Sequence, residues 1–130
     1  MKCPCGSGQP YAVCCQPLHD GGYAQNALWL MRSRYSAYAC QRADYIMRTT
    51  HPTNPQYKTD VQLWEQELLH FSKNTAFQRL EIIEFTDGER EAYVSFIAHL
   101  EQNNKPYQLK ERSRFLKEGK QWLYVDGIFF

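Results

Sequence analysis

The stretch Phe77–Asp126, FQRLEIIEFTDGEREAYVSFIAHLEQNNKPYQLKERSRFLKEGKQWLYVD, decides the fold of this chain. Three short polar separators divide it: Thr86-Asp87-Gly88-Glu89, Gln102-Asn103-Asn104-Lys105-Pro106 and Glu118-Gly119-Lys120. The segments between them, 77–85, 91–101, 107–117 and 121–126, read as strands. Connections this short join antiparallel neighbours, so a four-stranded meander is expected. Alternation on the third strand sends Leu109, Glu111, Ser113 and Phe115 to one face and Lys110, Arg112, Arg114 and Leu116 to the other. On the fourth, Trp122, Tyr124 and Asp126 share a face, and Asp126-Gly127 is expected to begin a turn.

Working back from this stretch, the pattern changes to helix. Leu28, Met31, Tyr35 and Tyr38 fall at helical spacing within 27–40, with no Gly or Pro inside. A shorter helix is expected over 43–50, with Asp44 in its first turn and Pro52 ending it soon after. A third is expected over about 60–71, with Thr59 and Gln62 as a capping box and Val61, Trp64, Leu68 and Phe71 as its apolar face. Helices followed by an antiparallel sheet make an α+β layout, with the helices packed on one face.

The chain has 130 residues, 43% hydrophobic and 15% aromatic, enough for one domain with a real core. Its formal net charge is +1, so no global field points to nucleic acid or an anionic membrane. No run approaches the roughly 18 apolar residues of a spanning helix, and no signal peptide is read at the N-terminus. A cytoplasmic location with reduced thiols is therefore expected.

Four of the five cysteines lie within MKCPCGSGQPYAVCCQ, residues 1–16. The spacing is C-x-C, eight residues, then C-C. Each pair offers two thiolates from one place, and Gly6-Ser7-Gly8 lets the chain turn tightly between them. Four thiolates make the closed, structural form of zinc coordination. Some sixteen residues cannot bury a core, and zinc binding of about 10–16 kcal/mol would hold them folded. Zinc is preferred to disulfides, which the reducing compartment disfavours, and to a thiol-rich tail, which does not explain the pairing. Iron–sulfur ligation also uses four thiolates, but pairs this close suit a single small ion better. The segment Gln16–Tyr23, QPLHDGGY, is polar and Gly/Pro-rich and reads as part of a linker. The expected division is a metal module at 1–16, a linker at 17–26 and an α+β domain at 27–130.

C-P-C-G-S-G-x-x-Y-x-x-C-C, from Cys3 through Tyr11 to Cys15, resembles the SEC-C motif, named from the tail of the SecA translocation ATPase. The resemblance implies zinc held by Cys3, Cys5, Cys14 and Cys15. Gln9, Pro10, Ala12 and Val13 stand where the motif usually carries lysines around its tyrosine. The order of helices and strands resembles the nuclear-transport-factor-2-like fold, a cone in which a curved sheet wraps around helices to form an open pocket. The combination, with LMRSRY, HP, ERSRFL and W-x-Y-x-D-G, resembles the YchJ family of small bacterial proteins across nearly the whole chain. Some members carry a second C-terminal SEC-C motif, which is not read in this chain. The resemblance implies architecture and metal and leaves the activity open.

The candidate pocket residues are Arg32, Arg34, His51, Glu111, Tyr124 and Asp126. Arg32 and Arg34 differ in direction by roughly 200° on a helix, so only one can face the pocket. A glutamate among apolar neighbours calls for a partner, and Glu111 is expected to pair with Arg34, or failing that Arg32. His51, ahead of Pro52, is expected to cap a helix end. Cys40 reads as a small buried hydrophobe. No phosphate loop, nucleophile elbow or triad is present. The expected function is that of a non-enzymatic binding or adaptor protein, with a protein partner met through the zinc motif. The alternative is a small-molecule-binding domain or enzyme using the cone, with His51, Glu111 and Asp126 as its polar groups.

Overall fold

The computed structural model describes residues 1–130. Strands β1 (Ala76–Thr86), β2 (Glu91–Gln102), β3 (Lys105–Glu118) and β4 (Gln121–Phe129) form one antiparallel sheet in the order β1-β2-β3-β4. This is the expected meander. The tight turns use residues that tolerate positive φ: Asn103 and Asn104 at 53° and 63° between β2 and β3, and Gly119 at 63° between β3 and β4.

On β2, Ala92, Val94, Phe96, Ala98 and Leu100 alternate inward and are all buried. They meet Leu30, Tyr45 and Ile46 from helices α2 (Ala27–Ala39) and α3 (Ala43–Arg48) in one continuous core. The helix α4 (Val61–Lys73) lies over this layer and fully buries only Trp64 and Ser72. Asp60 caps it, its side chain accepting from the Leu63 N–H at 3.1 Å. The capping box expected from Thr59 and Gln62 is thus displaced by the residue whose short carboxylate already sits at the helix start.

Two corrections concern local backbone. Asp126-Gly127 do not turn but continue β4 to Phe129. Nor does Asp126 share a face with Tyr124. The register steps from Phe115↔Tyr124 to Arg114↔Asp126, which leaves Val125 as an extra residue and flips the alternation.

The segment read as a linker is docked on the domain. Gln16–His19 form a short helix, α1, and His19 is 1% exposed. Its Nε2–H donates to the Ser33 carbonyl at 2.8 Å, and its Nδ1 accepts from the Tyr11 hydroxyl at 2.6 Å. Burial pushes its pKa down and so favours this neutral form. Arg42 and Arg48 donate to the His19 carbonyl at 2.9 and 3.2 Å. Polar composition misleads here because the His19 ring and backbone carbonyl both find partners inside.

These contacts give α2 two working faces. Trp29, Arg32, Ser33 and Ser36 lie on one side, against the N-terminal segment. Met31, Arg34, Tyr35 and Tyr38 lie on the opposite side, as the 3.6-residue turn requires, and line a cavity under the sheet.

Candidate functional site

The Sγ atoms of Cys3, Cys5, Cys14 and Cys15 all lie within 4.8 Å of one another. Gly6 and Gly8, at φ of 82° and 84°, carry the chain around the first pair in a conformation L side chains rarely adopt. The Cys3 N–H closes this loop on the Gln9 carbonyl at 2.9 Å. Cys5 and Cys14 sulfurs stand 3.7 Å apart, and those of Cys14 and Cys15 4.0 Å, far beyond the roughly 2.0 Å of a disulfide. The Ser7 hydroxyl sits 3.1 Å from the Cys14 sulfur. The thiols share ionisation unevenly. Hydrogen bonds from Cys15, and then from Ser7, bring Cys5 down to about 4, whereas burial pushes Cys14 up to about 11. Four thiolates together need a cation to balance them, and this donor set can close around one metal ion. Arg32 ties the module to α2, its Nη1–H donating to the Cys5 carbonyl at 2.8 Å.

The second feature is a cavity of about 610 Å³ between α2, α4 and the inner face of the sheet. Aromatic rings form much of its wall, among them Tyr35, Tyr38, Phe71, Phe77, Phe96 and Phe115. Tyr38, Phe71 and Phe77 contact one another edge-on or stacked at 5.6 to 6.4 Å, which fixes the wall in place.

Four charged side chains line this cavity: Lys58 and Glu67, partly exposed and paired with each other at 3.5 Å, and the buried Arg34 and Glu111. Glu111 is 7% exposed, and its Oε2 accepts from the Ser113 hydroxyl and, at 2.8 Å, from the Tyr124 hydroxyl. Its Oε1 has no protein partner yet is not sealed away from solvent. Arg34 is 8% exposed, and its Nη1 donates to the Ile46 carbonyl at 3.2 Å and to the hydroxyls of Thr49 and Thr50 at 2.8 and 3.1 Å. Its guanidinium also lies 4.8 Å from the Tyr124 ring centroid, while Nε and Nη2 make no protein hydrogen bond. Burial, reinforced by the Glu111 charge, pushes the Tyr124 hydroxyl well above its ordinary pKa, so it stays a donor. The Tyr35 hydroxyl is buried with no partner, and burial pushes it up to about 12.

The model of the YchJ middle NTF2-like domain matches residues 26–127, and that of the SEC-C motif matches residues 2–17. The chain belongs to the YchJ family. A UPF0225 protein of Enterobacter sp. (strain 638) is 41% identical over 96% of this chain and 81% of its own length. One from Vibrio cholerae is 39% identical over 99% of this chain and 83% of its own. The solution structure of a SEC-C motif containing protein from Rhodopseudomonas palustris superposes with a TM-score of 0.82 at 31% identity, covering 98% of each chain. The α+β, NTF2-like architecture expected for a YchJ chain therefore holds, with four strands and four helices where three helices were expected.

On this YchJ framework the six candidate pocket residues separate. Arg34, Glu111 and Tyr124 come together at the cavity. Arg32 points to the cysteine module, and its guanidinium lies 5.7 Å from the Trp29 ring. His51 lies outside the cavity. Its Nε2 meets Glu118 at 2.8 Å, and its backbone N–H donates to the Tyr124 carbonyl at 2.8 Å rather than ending a helix. Asp126 is on the outer face, where Arg114 grips it at 3.0 and 3.1 Å. The expected Glu111–Arg34 ion pair does not form: two hydroxyls hold one carboxylate oxygen, and the end of α3 holds one guanidinium nitrogen. In the sequence Tyr35 and Tyr38 mark only helical spacing, which does not distinguish a cavity wall from any other helix face. Ser113, a donor to Glu111, is not among the six candidates, although its place two residues from Glu111 on one strand face signals the contact.

Proposed function

We propose that this chain is a small-molecule-binding protein whose aromatic cavity receives the ligand, and that its cysteine module holds a structural zinc ion. The carrying observation is the Glu111 carboxylate, buried at the cavity with one oxygen held by two hydroxyls and the other without a protein partner. A cavity of about 610 Å³ suits a drug-sized molecule. For the metal, tetrahedral bonds of 2.3 Å put sulfurs about 3.8 Å apart, close to the spacings of 3.7 and 4.0 Å here. A closed four-thiolate centre has no free coordination position, so its role is to hold residues 1–16 against α2. Reduced thiols of this kind fit a cytoplasmic location.

A thermal-shift screen against a metabolite library tests the receptor role. Compounds that raise the midpoint of the native protein should lose that effect in Leu109→Trp, which places a larger side chain at the cavity wall. Compounds that stabilise both equally bind elsewhere, and a library with no stabilising compound counts against the proposal.

A second reading, an adaptor that meets a protein partner through the zinc motif, is favoured by one feature. Val13 is 68% exposed and Met1 81% exposed, and the Met1 carbonyl accepts from the Tyr11 N–H at 2.9 Å, so the module carries uncovered apolar side chains. Loss of partner recovery in Val13→Asp, with metal content unchanged, supports that reading; recovery equal to native contradicts it.

A further inference from the structure

Resting on the receptor role of the cavity, we propose that its ligand is a zwitterion of the α-amino-acid type with a bulky aromatic side chain. Arg34 and Glu111 carry opposite charges, are both more than nine-tenths buried, and reach the same cavity without pairing with each other. Tyr124 touches both, its ring under the guanidinium and its hydroxyl on the carboxylate. Each charge is half-served by neutral groups. Arg34 keeps Nε and Nη2, and Glu111 keeps Oε1, without a protein partner.

A guest that fills the cavity displaces water from those atoms and must replace its hydrogen bonds. A purely apolar guest cannot do so. A lone carboxylate would satisfy Arg34 but stand beside Glu111, and a lone ammonium would satisfy Glu111 but stand beside Arg34. An ammonium and a carboxylate on one carbon complete an alternating row, guanidinium to carboxylate and ammonium to Glu111, with no net charge added to an apolar site. The aromatic walls formed by Tyr38, Phe71, Phe77 and Phe96 then select the side chain.

Four probes of one shape test this by calorimetry at pH 7 on the metal-loaded full chain: L-phenylalanine, 3-phenylpropionate, phenethylamine and 3-phenylpropanamide. L-Phenylalanine should bind at least about tenfold more tightly than each of the others, because only it serves both charges. Glu111→Gln should remove its advantage over 3-phenylpropionate, since the charge that meets the ammonium is gone. Equal or tighter binding of any singly charged or uncharged probe contradicts the zwitterion and leaves the receptor role standing. No binding of any of the four at millimolar concentration contradicts the zwitterion, and failure of the metabolite screen as well removes the receptor role with it.

Discussion

Gly127 on β4 lies so close to the Glu111 side chain on β3 that a Cβ added there would overlap the carboxylate. The glycine is therefore part of the cavity's construction, making room for a buried acid on the neighbouring strand. Gly127→Ala should cost about 1–3 kcal/mol, the usual range for overpacking. In a Glu111→Ala background the same change should cost far less. Denaturant melts of the four proteins in this cycle give the coupling. An equal cost of Gly127→Ala in both backgrounds would mean that the glycine serves something other than Glu111.

Glu111 itself is held by hydroxyls, not by an arginine. Glu111→Gln keeps an oxygen that can accept from Ser113 and Tyr124, so it should cost about 1 kcal/mol, on the scale of a hydrogen bond weakened from charged to neutral. A loss of about 3–5 kcal/mol, as for a broken buried ion pair, would show that Arg34 carries more of the carboxylate than the geometry assigns to it.

Tyr35 buries a hydroxyl with no partner. Tyr35→Phe should leave stability unchanged or raise it by about 1 kcal/mol, because no hydrogen bond is lost and a desolvation cost disappears. The same group predicts a pH effect. Burial raises its pKa from 10.0 to about 12, so above pH 10 the unfolded chain sheds the proton first. Stability should fall as pH rises from about 10 and level off for this group past about 12. Equilibrium melts across that range should show a shallower fall in Tyr35→Phe.

Native protein prepared without chelator should carry about one zinc ion per chain, the content of a single four-ligand site. Cys3→Ser or Cys14→Ser should lose the metal and loosen residues near 1–16, while the sheet and α2 keep their own core. Amide exchange should show protection lost around Cys3–Cys15 and retained on β2. His19 should stay ordered, because Ser33, Arg42 and Arg48 hold it from the domain side. Native protein with free thiols and no zinc would overturn the metal assignment.

Much of this architecture was legible in the sequence because it rests on short-range signals. Separators of a few polar residues specify a meander, and strand alternation placed Glu111, Ser113 and Phe115 on one buried face. The paired cysteines and Gly6-Ser7-Gly8 likewise marked a cluster that a local turn can build. What was not legible depends on partners distant in the chain. The bulge at Val125 reverses the side of Asp126, and no local signal in Trp122–Gly127 announces an extra residue. His19 sits in a polar, glycine-rich segment, and its partners on α2, Ser33 and Ser36, lie fourteen and seventeen residues away, with Arg42 and Arg48 farther still. Arg34 lies at the cavity as its helical position implies, but its partners Thr49 and Thr50 are set by α3 ending beside β4, where Thr50 bridges Tyr124.

A crystal structure of the metal-loaded protein soaked with L-phenylalanine tests the ligand assignment at its atoms. The cavity should be open and hold the ligand, with its carboxylate on Arg34, its ammonium on Glu111 Oε1 and its ring among Tyr38, Phe71 and Phe77. A cavity closed by the protein's own side chains, or one that stays empty while Arg34 and Glu111 pair directly, would contradict that assignment.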